Sequence, residues 1–261
     1  MSEFRLTLLC ENAASGMPWR AEWGFSAFIE YGGKRILFDT GLSDVWRFNA
    51  DVAGINLDGT DFVALSHIHR DHTRGLLDHP FRDPKQILLH PRMLEPPPEI
   101  EDDDEAPEDY LRIQDTIRRD FDVISSRAPV EFTEGAFFLG EIPRTTGFEA
   151  GRYKDDPMPD DTGLAFCTST GAVVVSGCAH AGICNISAYA KEVTGQRLHA
   201  VIGGFHLMAE EDPPVEETIA WFKTENVPVL LPMHCIDFDI QARFHLELGT
   251  NRLAAGDTVE I

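Results

Sequence analysis

The segment LSHIHRDHTRG, residues 65–75, sets three histidines and an aspartate within six positions. It follows DFVAL, a short apolar run that reads as a buried strand, so the polar residues begin where the strand leaves the core. His67 and His69 are two apart, and an extended chain turns both to one side. Asp71 and His72 follow in the turn and can face the same point from a second direction. Four donors from one loop suit a divalent metal, or two metals sharing a site. Imidazole favours zinc, iron, manganese or nickel, and the carboxylate pulls toward the harder ions.

Three later segments repeat this logic. VVVSGCAHAGICN is a buried strand that opens into Cys178 and His180. AVIGGFHL places His206 after a Gly-Gly pair, and VPVLLPMHC ends in His234 and Cys235. Four buried strands, each ending in a histidine-bearing turn, predict convergence on one edge of a sheet sandwich. His79, His90, His199 and His245 sit beside prolines or on polar helix positions and read as surface or packing residues. Cys10, Cys167 and Cys184 read as small buried residues. Cys235 would point away from its neighbour His234 in an extended segment.

The pattern between these motifs mixes strands and helices. Strands are expected at 4–9, 25–31, 34–38, 122–124, 130–132 and 136–139, with YGGKR as a hairpin turn. GLAFCTSTGAVVVSG reads as a second hairpin. Helices are expected over VWRFNADVAGINL, ICNISAYAKEVTG, PVEETIAWFKTEN, with a proline near its start, and IQARFHLELG, the second and fourth closed by Gly195 and Gly249. This order suits two mixed sheets with helices outside better than one doubly wound sheet. EPPPEIEDDDEAPED, residues 95–109, is an acidic, proline-rich surface insertion rather than a domain boundary. Residues 1–261 are therefore read as a single domain.

Composition narrows the partners. The chain has 22 basic and 44 acidic residues, a net charge of -22, which disfavours nucleic acid and anionic membranes. With 43% hydrophobic residues a sizeable core is available. The first residues read as a strand rather than a secretory signal, and no stretch approaches a membrane span. Five cysteines in no regular framework favour a reduced, cytoplasmic protein. Arg70, Arg74 and Lys154 could form a local anion site within the acidic chain. Asp160 and Asp161 read as an exposed loop pair, with a bend into the cavity as the alternative.

SHIHRDH fits the H-x-H-x-D-H signature and, with FDTG at residues 38–41 upstream, resembles the metallo-β-lactamase superfamily. The resemblance implies a four-layer αββα sandwich of two mixed β-sheets flanked by helices, with a dinuclear metal site at one edge. SGCAHAGICN, IGGFHL and MHC further resemble a branch of metal-dependent hydrolases that includes enzymes similar to dihydropterin ribofuranosylaminobenzene phosphate synthase. Two departures stand out. The family's hairpin ends in a bridging Gly-Asp, where this chain has Cys178. The family's third histidine precedes that hairpin, where this chain has PMPDDTGLAF, and His180 is the natural substitute.

The resemblance implies that His67, His69 and His180 hold one metal and that Asp71, His72 and His234 hold a second. Cys178 either bridges as a thiolate or lines the site. His206 is a further ligand or, preferably, a hydrogen-bonding group for substrate. Asp39 orients a ligand histidine or caps the turn before Gly41. Two divalent ions, zinc first with iron or manganese as alternatives, imply a hydrolase. Asp71 would orient a water that attacks an ester, phosphoester, lactone or β-lactam bond of a small molecule, an anionic one where Arg70, Arg74 and Lys154 form their anion site. No GxSxG elbow competes with this reading. The alternative is a transferase similar to the pterin-linking enzymes of the branch. A di-iron oxygen or nitric-oxide reductase would need an appended flavodoxin module, which the chain lacks.

Overall fold

Alternating and continuous apolar runs build thirteen strands and six α-helices among the described residues, 3–96, 107–149, 156–208 and 213–261 of this computed structural model. The chain divides into two compact units. One runs over Glu3–Arg127 and takes back the final Ala254–Ile261, and the other is Ala128–Leu253.

The first unit is built on a seven-stranded mixed sheet. β1 (Phe4–Cys10), β2 (Ser26–Tyr31) and β3 (Lys34–Phe38) form an antiparallel meander. β2 and β3 are joined through Gly32 and Gly33, whose φ values of 59° and 75° suit a tight hairpin turn that favours glycine. α1 (Val45–Ala53) then carries the chain across to β4 (Phe62–Ala64), parallel to β3. A one-turn α2 (Arg70–Thr73) lies in the histidine loop. β5 (Lys85–Leu89) pairs parallel with β4, and α3 (Pro107–Asp120) leads to β6 (Phe121–Ser125), parallel to β5. Trp46 and Ala50 of α1 and Tyr110, Ile113 and Ile117 of α3 join Leu9, Phe28, Leu37, Val63 and Ile87 of the sheet in one apolar core.

The second unit carries a six-stranded mixed sheet. β7 (Val130–Thr133), β8 (Ala136–Phe138), β9 (Gly163–Cys167) and β10 (Ala172–Ser176) run antiparallel in sequence. α4 (Ile183–Thr194), β11 (Leu198–Gly204), α5 (Val215–Glu225) and β12 (Val229–Met233) then alternate, so that β10, β11 and β12 are parallel neighbours. α6 (Phe238–Leu248) precedes β13 (Thr258–Glu260), which returns to the edge of the first sheet beside β1. Ile186, Val201, Phe205, Phe222 and Phe244 anchor the core under the helices of this unit.

Two mixed sheets, each with its own α-helices, match the expected fold class, and every expected strand and helix forms. Two helices were not anticipated, the one-turn α2 in the histidine loop and the longer α3. α3 begins inside the acidic insertion, and its Asp109 is 7% exposed rather than solvated. The rest of that insertion, from residue 97 to 106, lies outside the described residues. Among the described residues, no helix is long and apolar enough to cross a membrane.

Candidate metal-binding site

In the first unit, β3 and β4 are parallel neighbours, so both of their C-terminal ends open at one edge of the sheet. Asp39 leaves β3 with φ 55°, an uncommon backbone for an aspartate that turns its carboxylate back toward β4. The carboxylate is fully buried. Its Oδ1 accepts the Ser66 N–H at 2.7 Å, and its Oδ2 accepts the Ser66 hydroxyl at 2.6 Å. The same Oδ2 lies 2.7 Å from Nδ1 of His72.

These bonds fix two tautomers. A carboxylate only accepts, so His72 carries its proton on Nδ1 and presents Nε2 as its acceptor nitrogen. The Ser66 hydroxyl gives its proton to Asp39 and lies 2.8 Å from Nδ1 of His67, so that nitrogen donates to Ser66. His67 therefore also presents Nε2. The ring centroid of His67 lies 4.8 Å from that of His69 and 4.2 Å from that of His72. The Asp71 carboxylate lies 3.6 Å from Nε2 of His72. Three imidazoles and a carboxylate thus crowd together, two of them with oriented lone pairs, which is the arrangement a metal-ligating histidine takes from its outer partners. Asp39 is accordingly the orienting residue, and Ser66, which sequence reasoning overlooked, relays it to His67. Its only sequence signal was a polar residue where the strand ends.

Glycine holds this loop against its neighbour. A Cβ on Gly75 would lie 2.0 Å from the Thr40 carbonyl oxygen, so the FDTG turn and the histidine loop meet backbone to backbone. The Thr40 N–H and hydroxyl both donate to the His72 carbonyl, at 2.7 and 3.1 Å. Arg70 and Arg74 do not stand open as an anion site. Asp109 of α3 takes both, at 2.7 and 2.8 Å, with Arg112 at 3.3 Å. Burial would raise the Asp109 carboxyl, but the Arg74 and Arg70 guanidiniums outweigh it and hold it below the usual carboxylate range. Lys154, the third expected member, lies outside the described residues.

In the second unit the ends of β10, β11 and β12 throw three adjacent loops, as the parallel pairing requires. Ala179, His206 and His234 all adopt positive φ, at 64°, 49° and 58°. Strained backbone of this kind persists where the surroundings dictate it. Cys178, His180 and His234 are buried and His206 is partly exposed. The His180 and His206 rings are stacked obliquely with centroids 4.1 Å apart.

Two expectations are corrected here. Cys235 does not turn away. Its Sγ lies 3.2 Å from the Cys178 carbonyl, to which the thiol donates, and 3.3 Å from the His206 N–H, from which it accepts. Burial opposes ionisation of this thiol, yet hydrogen bonding with Cys178 and His206 and the nearby His234 and His206 hold it well below the usual range. Asp160 and Asp161 are not an exposed pair either, because both are fully buried. Asp161 Oδ2 accepts the Ala181 N–H at 2.8 Å, which braces the loop carrying His180. Burial pushes its carboxyl up to about 7, against the Ala181 bond and the Arg144 charge. Three of the other histidines have structural partners: His79 bonds Asp120, His90 accepts from the Arg92 N–H, and His245 bonds the Thr250 carbonyl.

The order of FDTG, the histidine loop and the later strand-end histidines, on two mixed sheets, defines a metallo-β-lactamase fold. The chain belongs to the metallo-β-lactamase superfamily, whose sequence profile matches residues 24–193. It is 31% identical to the 7,8-dihydropterin-6-methyl-4-(β-D-ribofuranosyl)-aminobenzene-5'-phosphate synthase of Methanocaldococcus jannaschii, over 97% of this chain and 95% of that enzyme. Among solved structures it resembles a metal-dependent hydrolase of the β-lactamase superfamily, with a TM-score of 0.80, 27% identity and 99% of both chains covered. Zn2+-bound PqqB from Methylobacterium extorquens shares the fold at a TM-score of 0.62 and 14% identity, over 98% of this chain and 100% of that one.

Proposed function

We propose that this chain is a metal-dependent hydrolase acting on an ester-type, phosphoester, lactone or β-lactam bond of a small molecule. In this reading residues 1–261 act as one domain. His67, His69 and His180 would hold one ion, and Asp71, His72 and His234 a second, with Cys178 beside them. The observation that carries the reading is the buried Asp39–Ser66 pair, which sets Nε2 of both His67 and His72 as acceptors. Imidazole with a carboxylate suits zinc, and admits iron or manganese. Divalent ions held there would supply Lewis acidity and water activated at neutral pH.

The chain's own groups do the rest. Asp71 orients the attacking water, and the partly exposed His206 hydrogen-bonds the substrate. Five free cysteines support a reducing, cytoplasmic setting.

Elemental analysis of the purified protein, with a screen of generic ester, phosphodiester, lactone and β-lactam substrates, tests the reading. Replacing His67 and His234 together by alanine should cut the metal content well below that of the wild type and abolish turnover. Unchanged stoichiometry would overturn the two-ion assignment.

A second reading is supported by the similarity to the M. jannaschii synthase along 97% of the chain. Under it, the same groups bind a pterin and a phosphorylated aryl-ribose and join them. Saturable quenching of a reduced pterin's fluorescence, with no hydrolysis across the screen, would favour the synthase. Hydrolysis without pterin binding would exclude it.

A further inference from the structure

The second unit holds a donor cluster that a two-ion hydrolase does not need. Sγ of Cys178, a ring nitrogen of His206 and Sγ of Cys235 all lie within 4.8 Å of one another. A tetrahedral ion with metal–sulfur bonds of about 2.3 Å and a metal–nitrogen bond of about 2.0 Å sets its donors about 3.5–3.8 Å apart. The cluster is therefore within about 1 Å of closing on an ion, a change that side-chain rotation supplies.

We propose that Cys178, Cys235 and His206 form a distinct binding site for a soft, thiophilic cation, of the class to which Zn2+, Cd2+ and Cu+ belong.

Three features of the fold build this cluster rather than merely permit it. β11 lies between β10 and β12, so the His206 loop is flanked by both cysteine loops. Gly204 closes the gap. A Cβ there would sit 2.2 Å from the Gly177 carbonyl oxygen and 2.7 Å from Cys235 Sγ, so only glycine lets the two cysteine loops meet over the end of β11. The positive φ values at His206 and His234 then break the strand alternation and turn Cys235 inward. Two sulfurs and one imidazole select for soft ions, unlike the imidazole and carboxylate set of the histidine loop. Both cysteines are buried, at 5% and 1% exposure, while His206 is partly exposed and leaves the approach on its side. The site also gives a reason for a cysteine at position 178, where the family resemblance implies an aspartate.

This proposal stands on the second unit alone and does not rest on the hydrolase reading, except that Cys178 serves in both and that His206, when it holds the soft ion, is withdrawn from the substrate. Titration with Co2+ or Cd2+, read by thiolate-to-metal charge-transfer absorption, tests it. The wild type should show a band set by two thiolates. Cys178→Ser and Cys235→Ser should each remove about half of it or more, and His206→Gln should weaken the ion by ~10-fold or more. The Asp71→Ala, His72→Ala double variant, which leaves the turn at His234 untouched, should retain the band while losing the harder ions. A band unaffected by Cys235→Ser, or abolished in the double variant, would assign the thiolate to the main centre and overturn the proposal. X-ray absorption of the Cd2+-loaded wild type needs no variant. It should count two sulfur neighbours, and one or none refutes the site. A metal content that stays at wild type in His67→Ala, His234→Ala would fault the hydrolase reading and leave this one standing.

Discussion

The histidine loop at residues 65–75 and the three strand-end loops of the second unit carry similar donors but are organised in opposite ways. In the first, His67, His69, Asp71 and His72 are neighbours in sequence, and one buried carboxylate, Asp39, orients His72 directly and His67 through Ser66. In the second, Cys178, His206 and Cys235 are 57 residues apart from first to last in the chain and meet only because β10, β11 and β12 are parallel neighbours. The first depends on hydrogen bonds to one acceptor. The second depends on strand order, one glycine and strained turns. Damage to the first should therefore be electrostatic, and damage to the second steric.

The largest effect is expected at Asp39. Alanine there leaves the Ser66 N–H, the Ser66 hydroxyl and Nδ1 of His72 without their acceptor in a buried place. The expected loss is on the order of 3 kcal/mol of stability, with a drop of about 10–100-fold in metal affinity at the histidine loop. Chemical denaturation and metal titration measure both. A variant that melts like the wild type and binds metal equally well would show that the loop organises itself without Asp39.

The steric half of the contrast is tested by a pair of glycines. Gly75→Ala drives a Cβ to 2.0 Å from the Thr40 carbonyl, and Gly204→Ala drives one to 2.2 Å from that of Gly177. Each should cost about 2 kcal/mol. Their spectroscopic effects should differ, because Gly204→Ala spreads the cysteine loops and weakens the thiolate band, whereas Gly75→Ala leaves it intact. Equal loss of the band in both variants would erase the distinction between the two loops.

The same contrast explains what could be read from the sequence. The strands and the helices other than α2 and α3 follow from apolar periodicity and glycine or asparagine ends, and FDTG with SHIHRDH suffices for the family. α3 was legible in principle, since Tyr110, Ile113 and Ile117 fall at helical spacing and are all buried, but the acidic run before it masked the pattern. The inward turn of Cys235 was not legible. Strand alternation points it away, and the positive φ of His234 that reverses it depends on tertiary packing. Asp160 and Asp161 look solvated in PMPDDTG, yet Asp161 is held by an N–H twenty residues further on. Local composition carries no trace of such a partner.

The smallest effect lies at the outer support of the histidine loop. Asp109→Asn keeps the shape but removes the charge that ties Arg70 and Arg74. The arginines are partly exposed, so solvent screens the pairs and the expected cost at neutral pH is about 1 kcal/mol. The sign of its pH dependence follows from the carboxyl being held below its ordinary value in the folded chain. Such a group contributes fully above the unfolded value of about 3.9, and the contribution fades as pH falls through the folded value. Asparagine does not titrate. The stability gap between wild type and Asp109→Asn should therefore be constant from pH 7 down to about pH 5 and close only in stronger acid. Urea denaturation across that range measures it. A gap that widened toward acid would mean that Asp109 is not stabilised by its arginines, and the histidine loop would then owe its position to Asp39 and Gly75 alone.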